Sequence, residues 1–443
     1  MIRLKLLILG LIYEILFGLK YFDYSQTNKG NIMSLDKQRL KNALWGIFIS
    51  DAMSMPAHWY YKREYIKEGF DGAITGYNDA PHPHPESFMV GGGYFPNIAK
   101  ADELGRPYDI LHQHLRFYNS NYNHADIKLR VHSGEHANAM PNLEERYHYH
   151  HGLKKGDNTL GANLMRVLMR SVIKTKEYKQ EHFINEFTKY MTTPALNKDP
   201  YSEIYIRAWF HNYTNGVPPH ACAQEQRNVW SIGSSGGAIR PLLLSLTSSS
   251  VFQALGVALQ HQQITHRSDN VSSALAYLVP LFHALLDKKD PMSTIREHAS
   301  KVQLIKIKGS TLSKTYAAHM GPGNIPQDEM WKIHTEFSDD TLDLDFLLDT
   351  YSEDEILGKV FTTGCYTEHS LPVLSYLLYK NKFDFRACIL ANANAGGDNV
   401  HRGILLGMLV GAANDEIPQD LKEGLSSYES INSEINDFVN TIK

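Results

Sequence analysis

The stretch Asn394-Ala395-Gly396-Gly397-Asp398-Asn399-Val400-His401-Arg402-Gly403, followed at once by Ile404-Leu405-Leu406-Gly407-Met408-Leu409-Val410-Gly411-Ala412-Ala413, decides how this chain folds. Two adjacent glycines suit a tight backbone turn, Asp398 and Asn399 have side chains that cap a helix, and the apolar run behind them predicts a buried helix. Gly403, Gly407 and Gly411 fall four residues apart on one stripe of it. A glycine inside a helix costs about 1 kcal/mol relative to alanine, so three on one stripe predict a second helix or a ligand pressed against that face. The polar first turn is the chemical end. Asp398 and His401 lie one turn apart there, beside unpaired N–H groups and the positive end of the helix dipole, a place to hold an anion or orient a metal ligand. The plainer reading of the same residues is a capped, buried helix.

Working outward, the same theme of a polar turn feeding an apolar helix recurs. Leu40, Leu44, Ile47 and Phe48 keep helical spacing, with Gly46 as the small residue that lets this helix approach another. It ends in Ser50-Asp51-Ala52-Met53-Ser54-Met55-Pro56-Ala57-His58, where the proline places Asp51 and His58 near the helix terminus. Their plain alternatives are a carboxylate bonded to backbone and a core histidine beside Trp59, Tyr60 and Tyr61. Gly156-Asp157-Asn158-Thr159 opens a helix carrying Leu160, Leu164, Val167 and Leu168; its three oxygen side chains suit a hard cation, or a cap supplied by one of them. Ser234-Ser235-Gly236-Gly237, with Arg240 behind, reads as a phosphate cradle, although it lacks the Lys-Ser/Thr ending of a P-loop. Tyr147-His148-Tyr149-His150-His151 reads as an exposed polar segment before it reads as a metal site. Pro81 to Pro85 and Val90 to Tyr94 suggest a long loop between helices. No stretch sustains strand alternation or a βαβ period, so the fold class is all-α, one multi-helix bundle.

The chain has 443 residues with 43% hydrophobic content, enough for a large core. A formal charge of -4 gives no general attraction to nucleic acid, so direct nucleic-acid binding is not expected and any anionic ligand needs a local site. Cys222, Cys365 and Cys388 are too few and too scattered for a disulfide framework or a CxxC zinc site; they read as buried thiols. Residues 4–18 form an apolar run after Arg3 and Lys5, interrupted by Glu14 and shorter than the roughly 20 residues of a membrane span. Residues 1–33 are therefore set apart as an extension, 34–430 as the domain and 431–443 as a tail. No stable membrane insertion of the core is expected. A cytoplasmic location is favoured, and a secretory or anchored one follows if residues 1–32 are a targeting segment.

The order of these motifs resembles that of the ADP-ribosylglycohydrolases, the ADP-ribosyl-hydrolase or crystallin J1-related family, over about residues 38–425. Ser50 to His58 is similar to its GDAxGxPxE opening, Gly156 to Thr159 to its TDDT, Ser234 to Pro241 to its glycine-rich segment, Thr265-His266 to its Thr/Ser-His pair, and Gly396 to Ala412 to its closing GGDxDTxGAxxGxxxGA. The resemblance implies a hydrolase of glycosidic bonds to ADP-ribose or a related ribosyl compound, acting on a small-molecule or ADP-ribosylated substrate. It also implies a divalent metal, Mg2+ or Mn2+, with Asp157 or Asp398 as catalytic base and Ser234, Ser235, Gly236 and Gly237 holding the ADP-ribose-like ligand. The ligand positions carry over to His58, Asp157, Asn158, Asp398 and His401. Here His58 replaces a glutamate, Asn158 an aspartate, and Val400 and His401 an aspartate and a threonine. Two close Mg2+ ions need charged hard oxygens, so this set suits one softer ion, Mn2+, Fe2+ or Zn2+, better. The alternative is an inactive ADP-ribose-binding or crystallin-like structural protein.

Overall fold

The computed structural model describes residues 36–85, 94–114, 147–224, 233–248, 250–301 and 342–442. The apolar extension and the turn at 90–93 lie outside the described residues. Within them are seventeen α-helices and no strand, only two isolated β-bridges. Helices of nine residues or more are numbered α1 Lys37–Ser54, α2 Leu160–Thr175, α3 Gln180–Thr192, α4 Ile204–Thr214, α5 Gly236–Leu244, α6 Val251–Gln262, α7 Asp269–Leu286, α8 Pro291–Ala299, α9 Thr367–Lys380, α10 Phe385–Ala395, α11 Asn399–Ala413 and α12 Tyr428–Thr441.

The predicted helix-on-helix contact is present, and α1 and α11 are its two halves. A Cβ on Gly46 would lie 1.9 Å from the Gly407 carbonyl oxygen, and one on Gly407 2.1 Å from that of Gly46. One turn along, a Cβ on Gly411 would lie 2.3 Å from the Asn42 carbonyl. In the other direction, Gly403 faces the hydroxyls of Ser50 and Ser54. Each four-residue step up α1 is thus matched by a four-residue step down α11. The two helices run antiparallel with their backbones in contact, which only glycine at the crossings permits. Both are buried along most of their length, α11 over all fifteen residues, so they form the central layer.

That register fixes the site. One turn beyond Ser54, after the short 3-10 turn Met55–Ala57 containing Pro56, the chain reaches His58; at the same end α11 begins with Asp398 as its N-cap. Gly396 and Gly397, at φ 65° and 63°, make the left-handed turn that leads in. A Cβ on either would strike the carbonyl oxygen of Tyr60 or Thr363, at 2.1 Å and 2.0 Å. Backbone hydrogen bonds of 2.8 Å from Trp59 N to Gly397 O, Gly397 N to Tyr60 O and Asp398 N to Thr363 O lock this turn against the segment after His58.

Three readings differ from the sequence expectation. The segment 431–443, taken as a tail, is mostly the body of α12, whose Ile431, Ile435, Phe438 and Val439 are buried. Apolar residues at helical spacing give it a face for the core, and Glu434 pairs with Arg166 of α2 at 2.7 Å. The histidine run, read as exposed, has His148 and His150 buried. They are accepted there because each has hydrogen-bond partners, the condition for burying a polar group. Arg240 leaves the cradle and donates to the Tyr205 hydroxyl and Thr265 Oγ1, both at 2.8 Å.

Candidate functional site

Site chemistry begins where α1 and α11 meet. The carboxylate of Asp398, fully buried, has Oδ1 2.7 Å from His401 Nδ1 and 3.1 Å from His58 Nε2, while Oδ2 accepts from the Ser235 hydroxyl at 3.3 Å. The far nitrogen of His401, Nε2, is 3.0 Å from Glu203 Oε1, and Glu203 is the residue before α4. On the other side, His58 Nδ1 is 2.7 Å from His150 Nε2, and His150 Nδ1 is 2.9 Å from Asp199. Six side chains from four chain segments thus form one hydrogen-bonded string: Glu203, His401, Asp398, His58, His150, Asp199. Every member is nearly or fully buried except Glu203, with 13% of its side chain exposed, so the string faces outward at that end.

Counting protons along this string shows where a positive charge belongs. Asp199 accepts the Leu160 N–H at 2.7 Å and the Tyr201 N–H at 3.0 Å, so it acts as an acceptor and the proton shared with His150 sits on Nδ1. If both rings are neutral, His150 Nε2 accepts from His58 Nδ1 and the His58 Nε2 lone pair faces the Asp398 carboxylate, so two protons serve three contacts and the third is left for a further proton or a cation.

The shifts of the groups follow from the same arrangement. Burial, with further lowering by neighbouring histidines outweighing the Asp398 contact, pushes His58 down to about 3. For Asp398, burial raises the pKa, but the charge and hydrogen bond of His401, with the His58 contact after them, more than offset it and hold the carboxyl far below its ordinary range. Burial works against a charged His401 as well; the flanking carboxylates Asp398 and Glu203 overcome it and raise that imidazole well above its usual value.

Among the described residues, His58, Asp398 and His401 offer ligand atoms all within 4.8 Å of one another, so this group could hold a metal ion. Two imidazoles and one carboxylate suit a single ion of borderline softness. A pair of hard ions does not fit. Asn158 and Thr159 are bonded instead to the buried Asp51, whose carboxylate accepts from Asn158 Nδ2 at 2.8 Å, Thr159 N at 2.8 Å and Thr159 Oγ1 at 2.6 Å. Asp157 is half-buried and closes its own turn, accepting from Lys154 N at 2.9 Å, so the structure does not bring it to the cluster. The reason is the left-handed Gly156, at φ 80°, which packs against the Gly424 carbonyl and turns the chain before α2.

The glycine-rich segment supports the cluster from one side. The amides of Ser235 and Gly237 are bonded to Cys365 O at 2.8 Å and Ser234 O at 2.9 Å, so they are not turned to a phosphate. The glycines leave room instead: a Cβ on Gly236 would lie 2.9 Å from Glu203 Oε2 and 3.5 Å from the His401 ring. Gly237 makes the same space for His266. Opposite, Arg402 is buried under the Gly396–Gly397 turn and donates to Gly396 O at 2.8 Å and Asn392 Oδ1 at 2.9 Å, with burial pulling it down to about 10.

Sequence reasoning therefore reached His58, Asp398 and His401 but missed three members. Asp199 and Glu203 stand in no motif, and His150 was discounted with its run. The one available signal was that His150 sits at the center of three histidines close to an oxygen-rich turn.

The sequence model described as ADP-ribosylglycohydrolase matches residues 33–443. Among solved structures, an ADP-ribosylglycohydrolase-related protein complex is similar at 12% identity, covering 92% of this chain and 99% of that one, with a TM-score of 0.48. No match was found among curated proteins.

Proposed function

The chain belongs to the ADP-ribosylglycohydrolase family, and from that premise we propose that it hydrolyses a glycosidic bond to ADP-ribose or a related ribosyl compound, using one divalent ion held by His58 Nε2, Asp398 and His401 Nδ1. The observation that carries this reading is the convergence of two buried imidazoles, His58 and His401, on the Asp398 carboxylate, with their ligand atoms all within 4.8 Å of one another. Zn2+, Fe2+ or Mn2+ suits this donor set better than Mg2+. On binding of such an ion the proton that His401 Nδ1 holds toward Asp398 would be displaced and released to solvent, and the ion would then act as a Lewis acid toward substrate oxygens and water. The protein's part is to orient and to move protons. Asp398 would hold the ion through Oδ1, which would leave Oδ2, steadied by Ser235, to accept a hydrogen bond from the attacking water and orient it. Ser234 to Gly237 would form the wall against which the ribose lies, with Gly236 giving close approach beside Glu203. Asp157, engaged in its own turn, has no role in this reading.

Calorimetric titration of the full chain with ADP-ribose, first after chelation and then with Zn2+ or Mn2+, tests it, together with release of ADP-ribose from arginine- and serine-linked conjugates. Cation-dependent binding and turnover, both lost in His58→Ala and Asp398→Ala, are expected. Binding indifferent to the cation and no turnover would make the protein a binding module; turnover unaffected by both substitutions would place the chemistry elsewhere.

A further inference from the structure

Resting on that reading of the cation site, we propose that Glu203, and Asp199 acting through His150, are the positioning residues of the centre: each fixes the protonated edge of one ligand imidazole, so that its other nitrogen is presented to the ion. The two arms are built alike. On one, Glu203 Oε1 meets His401 Nε2 at 3.0 Å, leaving Nδ1 toward Asp398. On the other, Asp199 meets His150 Nδ1 at 2.9 Å and His150 Nε2 meets His58 Nδ1 at 2.7 Å, leaving His58 Nε2 toward the same carboxylate. Both arms end in a carboxylate. A metal-bound histidine usually donates its second ring N–H to such a partner, which sets the tautomer and raises ligand basicity.

Each carboxylate is itself held in place. Asp199 accepts two backbone N–H groups, from Leu160 at the head of α2 and from Tyr201, and its own N–H donates to Asn197 Oδ1 at 3.0 Å. The His150 ring lies almost parallel to that of His58, at 10° and 4.9 Å between centroids, with Trp59 stacking on His58 at 4.7 Å. Two more histidines anchor the backbone beneath: His84 Nε2 bonds His58 O at 2.9 Å, and His148 Nε2 bonds Pro56 O at 3.0 Å. Glu203 owes its position to the missing side chain of Gly236, since a Cβ there would meet Oε2 at 2.9 Å.

The test is titration of the chelator-stripped full chain with Co2+, followed by its d–d absorption and by calorimetry, in wild type, Glu203→Gln, Asp199→Asn and Glu203→Asp. Losing such an outer partner weakens metal affinity about 10- to 100-fold, so Glu203→Gln and Asp199→Asn are each expected to raise the Co2+ dissociation constant by that factor and to alter the absorption bands. Far-UV circular dichroism should stay unchanged, and Glu203→Asp should recover part of the affinity. Wild-type affinity and spectrum in both variants would overturn the assignment while leaving the cation site standing. Absence of Co2+ and Zn2+ binding in the wild type would overturn the cation site and the assignment together. If Asp199→Asn does not fold, the Glu203→Gln titration decides.

Discussion

Replacing Gly407 by alanine tests the backbone contact on which both fold and site depend. In an unobstructed helix this change stabilises by about 1 kcal/mol through propensity and reduced freedom of the unfolded chain. At position 407 the new methyl would lie 2.1 Å from the Gly46 carbonyl oxygen and 2.6 Å from its carbon, and 3.0 Å from Ser50 Cβ. Ordinary contact begins at about 3.5 Å, so α1 and α11 must separate locally by more than 1 Å. Both partners in the clash are backbone, and no rotamer change relieves it. Overpacking of this kind costs roughly 1–3 kcal/mol in cores that can adjust. Here the spreading also opens the crossings at Gly411 and Gly403, so the cost falls at the upper end of that range and the net loss expected is about 2 kcal/mol after the propensity gain. Gly256, exposed on α6 with nothing within 4 Å of its virtual Cβ, is the matched control and should gain up to about 1 kcal/mol as alanine. Urea unfolding followed by circular dichroism reads both, as opposite movements of the midpoint. Gly407→Ala as stable as wild type would refute the contact. Because His58 follows the end of α1 and Asp398 caps α11, the folded fraction of this variant should also bind cations more weakly.

Two further expectations concern groups outside the cation cluster. Glu368, in the first turn of α9, has its carboxyl pushed up to about 7 by burial, against partial lowering by its backbone, Thr367 and Asn270. Both folded and unfolded forms are protonated below pH 4.5; between 4.5 and about 7 the unfolded chain ionises first, so stability falls as pH rises through this window. At about 1.4 kcal/mol per unit the ceiling is on the order of 3 kcal/mol, and Glu368→Gln should remove that decline; equal pH slopes in variant and wild type would count against it. Asp51→Ala should destabilise by about 3–5 kcal/mol, because the buried Thr159 N–H and hydroxyl and the Asn158 amide all lose their acceptor. A urea midpoint within about 0.5 kcal/mol of wild type would show that those donors find other partners.

The helical class, the existence of α1, α2 and α11 and the close packing of α11 were legible in the sequence because each rests on local rules: helical spacing of apolar residues, capping chemistry, and the cost of glycine in a helix. Gly46 was read as a close-approach residue on the same ground, and it is the one that meets Gly407. Three of the site's side chains were legible for a related reason, since His58, Asp398 and His401 stand at helix ends where the polar groups of a buried helix must be. The sequence could not show what those ends face. Asp398 and His401 are neighbours on one turn, but His58 comes from 340 residues earlier, His150 from 92 residues after it, and Asp199 49 further on. Their convergence depends on the antiparallel register of α1 against α11, a long-range property set by packing. The same packing gave Asp157 and Asn158, alike in sequence, different surroundings: the Gly156 turn kept Asp157 at the half-exposed edge, while Asn158 was drawn inward to Asp51. It also buried His150 within a run that looks polar, because only the folded chain supplies the carboxylate of Asp199 and the ring of His58 as its partners.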